Sequence, residues 1–255
     1  MPTDPTQRFT TRAEDYARHR PHYPPAVLDI LREECGLLPA HVIADVGSGT
    51  GLLTVLLLRN GNRVYAVEPN DAMRRAAERD LRDFPSFVSI VGRAEDTTLP
   101  SASVDLVTAG QAFQWFDHAR ARAEFARILR PGGWVVLVWN RRRADDDTLQ
   151  RGLAELRDRF PADDAAARRR RHDTEAICGF YGPRGFRLRT CPNQQVLDWP
   201  GLRGNLLSHS SMPQPGQKGH DEIMAELRRL FEAHQEDGRV VVRYETQVYT
   251  GHLDE

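Results

Sequence analysis

Between Val42 and Asn140 the chain alternates short, continuous apolar runs with segments of helical length, and this alternation constrains the fold more than any other feature. The runs "HVIADV", "RVYAVEP", "FVSIVG", "VDLVTAG" and "WVVLVWN" read as strands. The segments "LLTVLLLRN", "DAMRRAAERDL" and "ARARAEFARILR" read as helices. Gly61 stops the first, Asp71 lies near the start of the second, and Pro131, Gly132 and Gly133 stop the third. Strands without a polar face need cover on both sides, which a parallel sheet obtains from its crossover helices.

The flanks differ in character. A helix is expected through Ala13 to His19, then Pro21, Pro24 and Pro25 punctuate the chain. A second helix over 26–38 would bury Val27, Leu28, Leu31 and Leu38. After Asn140, "RRRADDD" reads as an exposed charged turn and 148–160 as a helix. The basic run at 168–172 has no interleaved aromatic residues, so it reads as solvated surface rather than a nucleic-acid platform. A strand is expected within 185–197. "DEIMAELRRLFEAHQ" is an amphipathic helix with Ile223, Leu227, Leu230 and Phe231 on one face, and "RVVVRYETQVYTG" is a final strand, antiparallel to the sheet.

The 255 residues suit one domain, and a formal charge of -1 gives no general reason to expect nucleic acid or a membrane as partner. Cys35, Cys178 and Cys191 form no metal or redox pattern, and the nine histidines show no ligand spacing, so no metal is expected. The start of the chain lacks a secretory pattern and no apolar run is long enough to span a bilayer, so a cytoplasmic protein is expected, as monomer or homodimer.

Gly47, Gly49 and Gly51 follow the first strand. Glycines there let a ligand approach the backbone at the carboxyl edge of the sheet, beside a helix N-terminus. Glu68 ends the second strand, where a carboxylate can accept ribose hydroxyls. The GxGxG spacing is not the dinucleotide GxGxxG, and no lysine follows as in a phosphate-binding loop. Asp45 would repel a pyrophosphate and attract an ammonium group, or would cap the turn. The combination suits a nucleoside with an amino-acid tail.

Residues 40–140 resemble the class I S-adenosylmethionine-dependent methyltransferases. The resemblance rests on "VIADVGSGTG", "VYAVEPNDAM", "GRAEDTTLPSASVDLVTAGQAFQWFD" and "EFARILRPGGWVVLVWN"; "FTTRAEDYARHRPHYP" and "GLRGNLLSHSSMPQPG" resemble small-molecule members. It implies a Rossmann-like α/β fold: a seven-stranded, mostly parallel sheet with helices on both faces, its last strand antiparallel, and helical cap elements. The implied organisation is a single domain over 1–255, with an N-terminal lid (1–38), a cofactor core (40–140), a substrate cover carrying the sixth strand (141–215) and a C-terminal helix and strand (216–255).

The resemblance places S-adenosyl-L-methionine against Gly47, Gly49 and Gly51, with Asp45 toward the methionine ammonium and Glu68 on the ribose. Pro69, Asn70 and Met73 would flank the adenine; Ala94 and Glu95, or Asp96, would meet its edge; Ala109, Gly110 and Gln111 would lie near the sulfonium. Tyr16, Arg20, Phe113, Trp115, Phe116 and Trp139 are candidates to face a small-molecule acceptor, with Trp199, Phe180, Tyr181 and Phe186 within possible reach. Methyl transfer draws mainly on proximity and orientation, and a general base is needed only for a protonated acceptor. Candidates are His118, His19 and Tyr16, then Asp117, His22 and His209; Asp117 also reads as a helix cap before His118. The stretch "AGQAFQW" lacks the Asn-Pro-Pro-Tyr-like signature of many nucleic-acid amino-group methyltransferases. An RNA- or protein-directed methyltransferase and a non-catalytic S-adenosylmethionine-binding protein remain the alternatives.

Overall fold

The computed structural model describes residues 13–144, 147–159, 174–209 and 212–253. Seven strands form one sheet: β1 (Val42–Val46), β2 (Arg63–Val67), β3 (Phe87–Ile90), β4 (Val104–Gly110), β5 (Leu129–Arg142), β6 (Arg187–Leu197) and β7 (Val240–Gly251). Their order is β3-β2-β1-β4-β5-β7-β6. The first five run parallel, and β7 lies antiparallel between β5 and β6. The strand order reverses between β1 and β4, which opens a crevice at their carboxyl ends.

Among the described residues the helices are α1 (Ala13–His19), α2 (Ala26–Cys35), α3 (Thr54–Arg59), α4 (Asp71–Leu81), α5 (His118–Ile128), α6 (Thr148–Asp158), α7 (Thr174–Tyr181), α8 (Trp199–Leu207) and α9 (His220–His234). Local chemistry sets several starts. Asn70 accepts from the Met73 N–H at 3.0 Å, Asp117 from the Arg120 N–H and Asp147 from the Gln150 N–H, each closing the first turn of a helix. One core, with Ile43, Leu57, Leu106 and Val136, fills one face of the sheet under α2 and α3. A second, with Val107, Phe125, Leu137 and Phe180, fills the other under α5 and α7. A third joins α6, α8 and α9 through Leu153, Leu206 and Leu227.

The expected elements that differ have local reasons. The second helix ends at Cys35 because Gly36 adopts φ 60°; Leu37 turns inward in its wake and Leu38 is left 57% exposed. Leu129 is already extended, so Pro131–Gly133 lie in the irregular start of β5 rather than after a longer helix. Arg141 and Arg142 belong to β5, not to an exposed turn. Helices α7 and α8 belong to the helical cap expected, without defined bounds, after the fifth strand; Asp198, which accepts from the Gly201 N–H at 2.8 Å ahead of Pro200, is a readable start signal for α8. The 168–172 run lies outside the described residues.

Candidate functional site

The crevice is built outward from the end of β1. Asp45 pairs in register with Thr108 of β4, and its carboxylate accepts from the Thr108 hydroxyl at 2.9 Å and the Thr54 hydroxyl at 2.6 Å. It is 1% exposed, and burial pushes its carboxyl up to about 6 against those hydrogen bonds. Asp45 is therefore both a clamp across β1, α3 and β4 and a wall of the crevice.

The turn that follows depends on missing side chains. Gly47 has φ 67°, and a Cβ there would stand 2.7 Å from the Ala112 Cβ. The N–H groups of Gly47 and Ser48 donate to the Val67 carbonyl, which ties the turn to β2. Glu68 then closes the loop: its Oε2 accepts from the Gly49 N–H at 2.9 Å and its Oε1 from the Asn70 N–H at 2.8 Å. Burial raises the Glu68 carboxyl above its ordinary value, and the two N–H donors oppose that rise. Each oxygen has lone pairs left for a hydroxyl.

Two spaces that share part of their lining occupy the crevice. The larger, about 520 Å³, is lined by Gly47, Gly49, Glu68, Pro69, Asn70, Met73, Ala94, Glu95, Asp96, Gly110, Gln111, Trp115 and Phe116. The smaller, about 30 Å³, lies between Asp45, the glycine turn and Arg20. Tyr16 lines both, as do Gly47, Gly49, Gly110 and Gln111. The Glu95 carboxylate accepts from the Asp117 N–H at 2.7 Å and so ties the loop after β3 to the start of α5.

Other expected residues stand elsewhere. Gly51 does not line either space; a Cβ there would lie 2.6 Å from Leu81 Cδ1, so its role is the close packing of α4. Ala109 is fully buried behind Gly110. Phe113 and Trp139 are core residues, packed edge to face with ring centroids 6.1 Å apart, and Trp139 also lies 5.3 Å from Tyr249. Phe180 and Tyr181 are buried in the same cluster, and Trp199 packs on Phe231. His118 stacks on Phe113 at 4.1 Å with its Nε2 3.2 Å from the Phe113 carbonyl, and it lines neither space. His19 lies against Gly204 of α8. Neither space has a histidine among its lining residues.

Sequence reasoning missed two features. Tyr23, buried in the smaller space, stands where it would collide with any Cβ at Gly110; the surrounding prolines hid its role. Gln111 adopts φ 57°, a strained conformation for a residue with a side chain, and no sequence signal marks it. Its N–H donates to the Val138 carbonyl and its Nε2 to the Asn140 carbonyl at 3.1 Å, and these bonds hold the strained turn.

The residue set fits a nucleoside carrying a zwitterionic tail. Buried Glu68 presents acceptors, the Gly47–Gly49 turn leaves room at the backbone, and Asp45 and Arg20 bring opposite charges to the small space. Residues 44–137 match the methyltransferase domain family. An uncharacterised methyltransferase of Mycobacterium tuberculosis is 42% identical over 141 residues, 54% of this chain and 54% of that protein. One from Schizosaccharomyces pombe is 34% identical over 137 residues, 52% of each. The matched region thus spans about half the length of these curated relatives. A solved structure from Anaeromyxobacter dehalogenans, described as a candidate type II methyltransferase, superposes with a TM-score of 0.66 at 27% identity, covering 92% of this chain and 99% of that one.

Proposed function

We propose that this chain, which carries a class I S-adenosylmethionine-dependent methyltransferase domain, moves the donor's methyl group to a small molecule by direct in-line transfer. The observation that carries the reading is the crevice of about 520 Å³, lined by the glycine turn, Glu68 and, from the N-terminal segment, Tyr16. A space of that size, walled by Met73, Trp115 and Phe116, suits a nucleoside with a small acceptor better than a polymer.

When bound, the donor supplies a methyl group activated by a sulfonium. In this reading Glu68 accepts the ribose hydroxyls while still holding the Gly49 and Asn70 N–H groups. Pro69 and Met73 flank the base, and Ala94 with Glu95 meets its edge. Asp45 and Arg20 take the ammonium and carboxylate of the tail across the smaller space, so Arg20 moves from the acceptor to the donor. Tyr16 and Gln111 line the junction of the two spaces; they orient the reacting groups and exclude water. Tyr16 is the member of the expected base set, with Asp117, that faces the cavity.

Calorimetry with S-adenosylmethionine and its demethylated product tests the donor half: micromolar binding is expected, and no heat with either would sink it. Incubation with labelled donor and a metabolite extract tests the acceptor half. Label in small-molecule fractions is expected; label confined to RNA or protein would replace the reading.

A further inference from the structure

We propose that the methyl acceptor carries an oxyanion, a carboxylate or phosphate, and that Arg142 anchors it beside Arg20, which holds the donor's carboxylate; this rests on the methyltransferase reading above. Arg20 and Arg142 meet beneath α8 although they lie on α1's C-terminal extension and the end of β5. The Nε of Arg20 and the Nε and Nη1 of Arg142 are buried with no hydrogen-bond partner. Their remaining bonds go to neutral acceptors: Arg20 Nη2 to the Ser208 carbonyl at 3.1 Å, and Arg142 Nη2 to the Asn205 side chain. Aromatic rings flank both, Tyr16 at 4.8 Å from the Arg20 guanidinium and Tyr244 at 5.8 Å from that of Arg142.

No carboxylate among the described residues pairs with either guanidinium. Burial and the nearby Arg142 both disfavour the Arg20 charge, and the phenols of Tyr16, Tyr23 and Tyr244 around it are neutral. Buried guanidinium nitrogens without partners, on two neighbouring half-buried arginines, are costly unless an anion joins them. The donor brings one carboxylate, which balances one guanidinium. The second cation is still uncompensated with the donor in place, so a second anion belongs here.

Its position suits an acceptor. Arg20 lines the smaller space, Arg142 stands behind it and lines neither space, and Arg142 follows Asn140, whose carbonyl accepts from the cavity-lining Gln111, by two residues on the same face of β5. The anion is a handle: an oxyanion held by guanidinium is a poorer nucleophile, so the methyl goes to another atom of the same molecule.

The test titrates acetate, succinate and inorganic phosphate into the full chain saturated with S-adenosylhomocysteine, with dimethyl succinate as the neutral control. At least one anion should bind in the millimolar range and the diester should not; the carboxylate and phosphate arms identify the group. Arg142→Gln should weaken that anion at least tenfold, Arg142→Lys should restore part of the affinity, and S-adenosylhomocysteine affinity should stay within threefold in both. The inference is overturned if the diester binds as well as succinate, if no anion binds the wild-type complex, or if Arg142→Gln binds anions unchanged. Failure of S-adenosylhomocysteine itself to bind would remove the methyltransferase reading as well.

Discussion

The two ends of the cavity are made in different ways. The donor end is one stretch of chain folding on itself: Asp45 lies near the end of β1, the glycine turn follows it, Glu68 follows β2 and Met73 lies in the first turn of α4, and its shape is set by positive φ and by backbone N–H groups. The far end is assembled from distant pieces. The carbonyl of His19 accepts from Gln195 and Asn205, those of Pro21 and His22 from Asn140, and that of His22 also from Asn193. Side-chain amides of β5, β6 and α8 thus hold the strap that carries Arg20 and Tyr23. Damage to the first end should remove the donor; damage to the second should loosen its cover.

The largest effect is expected at Gly47. Gly47→Val puts a branched side chain at φ 67° with its Cβ 2.7 Å from Ala112. Strain and overpacking should cost about 2–4 kcal/mol of stability in urea unfolding. Donor binding by calorimetry should fall more than about 100-fold, since 1.4 kcal/mol is already a factor of ten. Retained binding would mean that the turn does not touch the donor. Next is Glu68→Ala, which removes the carboxylate that joins Gly49 to Asn70. A loss of about 1–3 kcal/mol in donor affinity is expected for charged hydrogen bonds. An unchanged affinity would place the ribose elsewhere.

The contrast also explains what the sequence could tell. Strands β1, β2 and β4, the glycine turn and Glu68 are legible because each signal is local: an apolar run, a left-handed turn, a carboxylate at a strand end. Composition cannot say which face an aromatic takes, so Phe113 and Trp139 were read toward the acceptor although both fill the core, while Trp115 and Phe116 beside them line the cavity. Gly51 shows the same limit, since a glycine needed for helix packing and one needed for a ligand look alike in sequence. The Arg20–Arg142 pair joins residues whose spacing carries no pattern, and it becomes visible only once β5, β7 and α8 are in place.

Asn205 sharpens the comparison from the other side. It is 1% exposed, and its Nδ2 lies within bonding distance of the His19 carbonyl at 2.9 Å, Gln195 Oε1 at 2.9 Å and the Tyr244 hydroxyl at 3.2 Å. Asn205→Ala should cost about 1–3 kcal/mol of stability by leaving buried polar groups unpaired. Its signature is kinetic: stopped-flow release of S-adenosylhomocysteine should speed up about three- to tenfold while association stays near the wild-type rate. Equal slowing of association would place Asn205 in the donor site proper and erase the distinction between the two ends.

The smallest effect isolates a charge. Asp45 ionises in the folded protein at about 6, above its ordinary value of 3.8. A raised folded value means that the native state binds the proton more tightly. The stability contribution therefore falls as pH rises from about 4 to 6 and then levels off, at a cost on the order of 3 kcal/mol for the free protein. Asp45→Asn keeps the shape without the charge, and the Thr54 and Thr108 hydroxyls can rotate to accept from its amide. The free variant should melt a few degrees higher than wild type at pH 8, and that gain should shrink toward pH 4.5. Donor affinity should move the other way, weaker by about three- to tenfold at pH 8, because the ammonium loses its partner. Wild-type affinity should also drop below pH 6; Glu68 titrates upward-shifted beside it, so the part of that drop absent from Asp45→Asn is the part due to Asp45. A variant that melts lower at both pH values with unchanged donor affinity would make Asp45 a clamp between strands alone, and the donor's ammonium would need another partner.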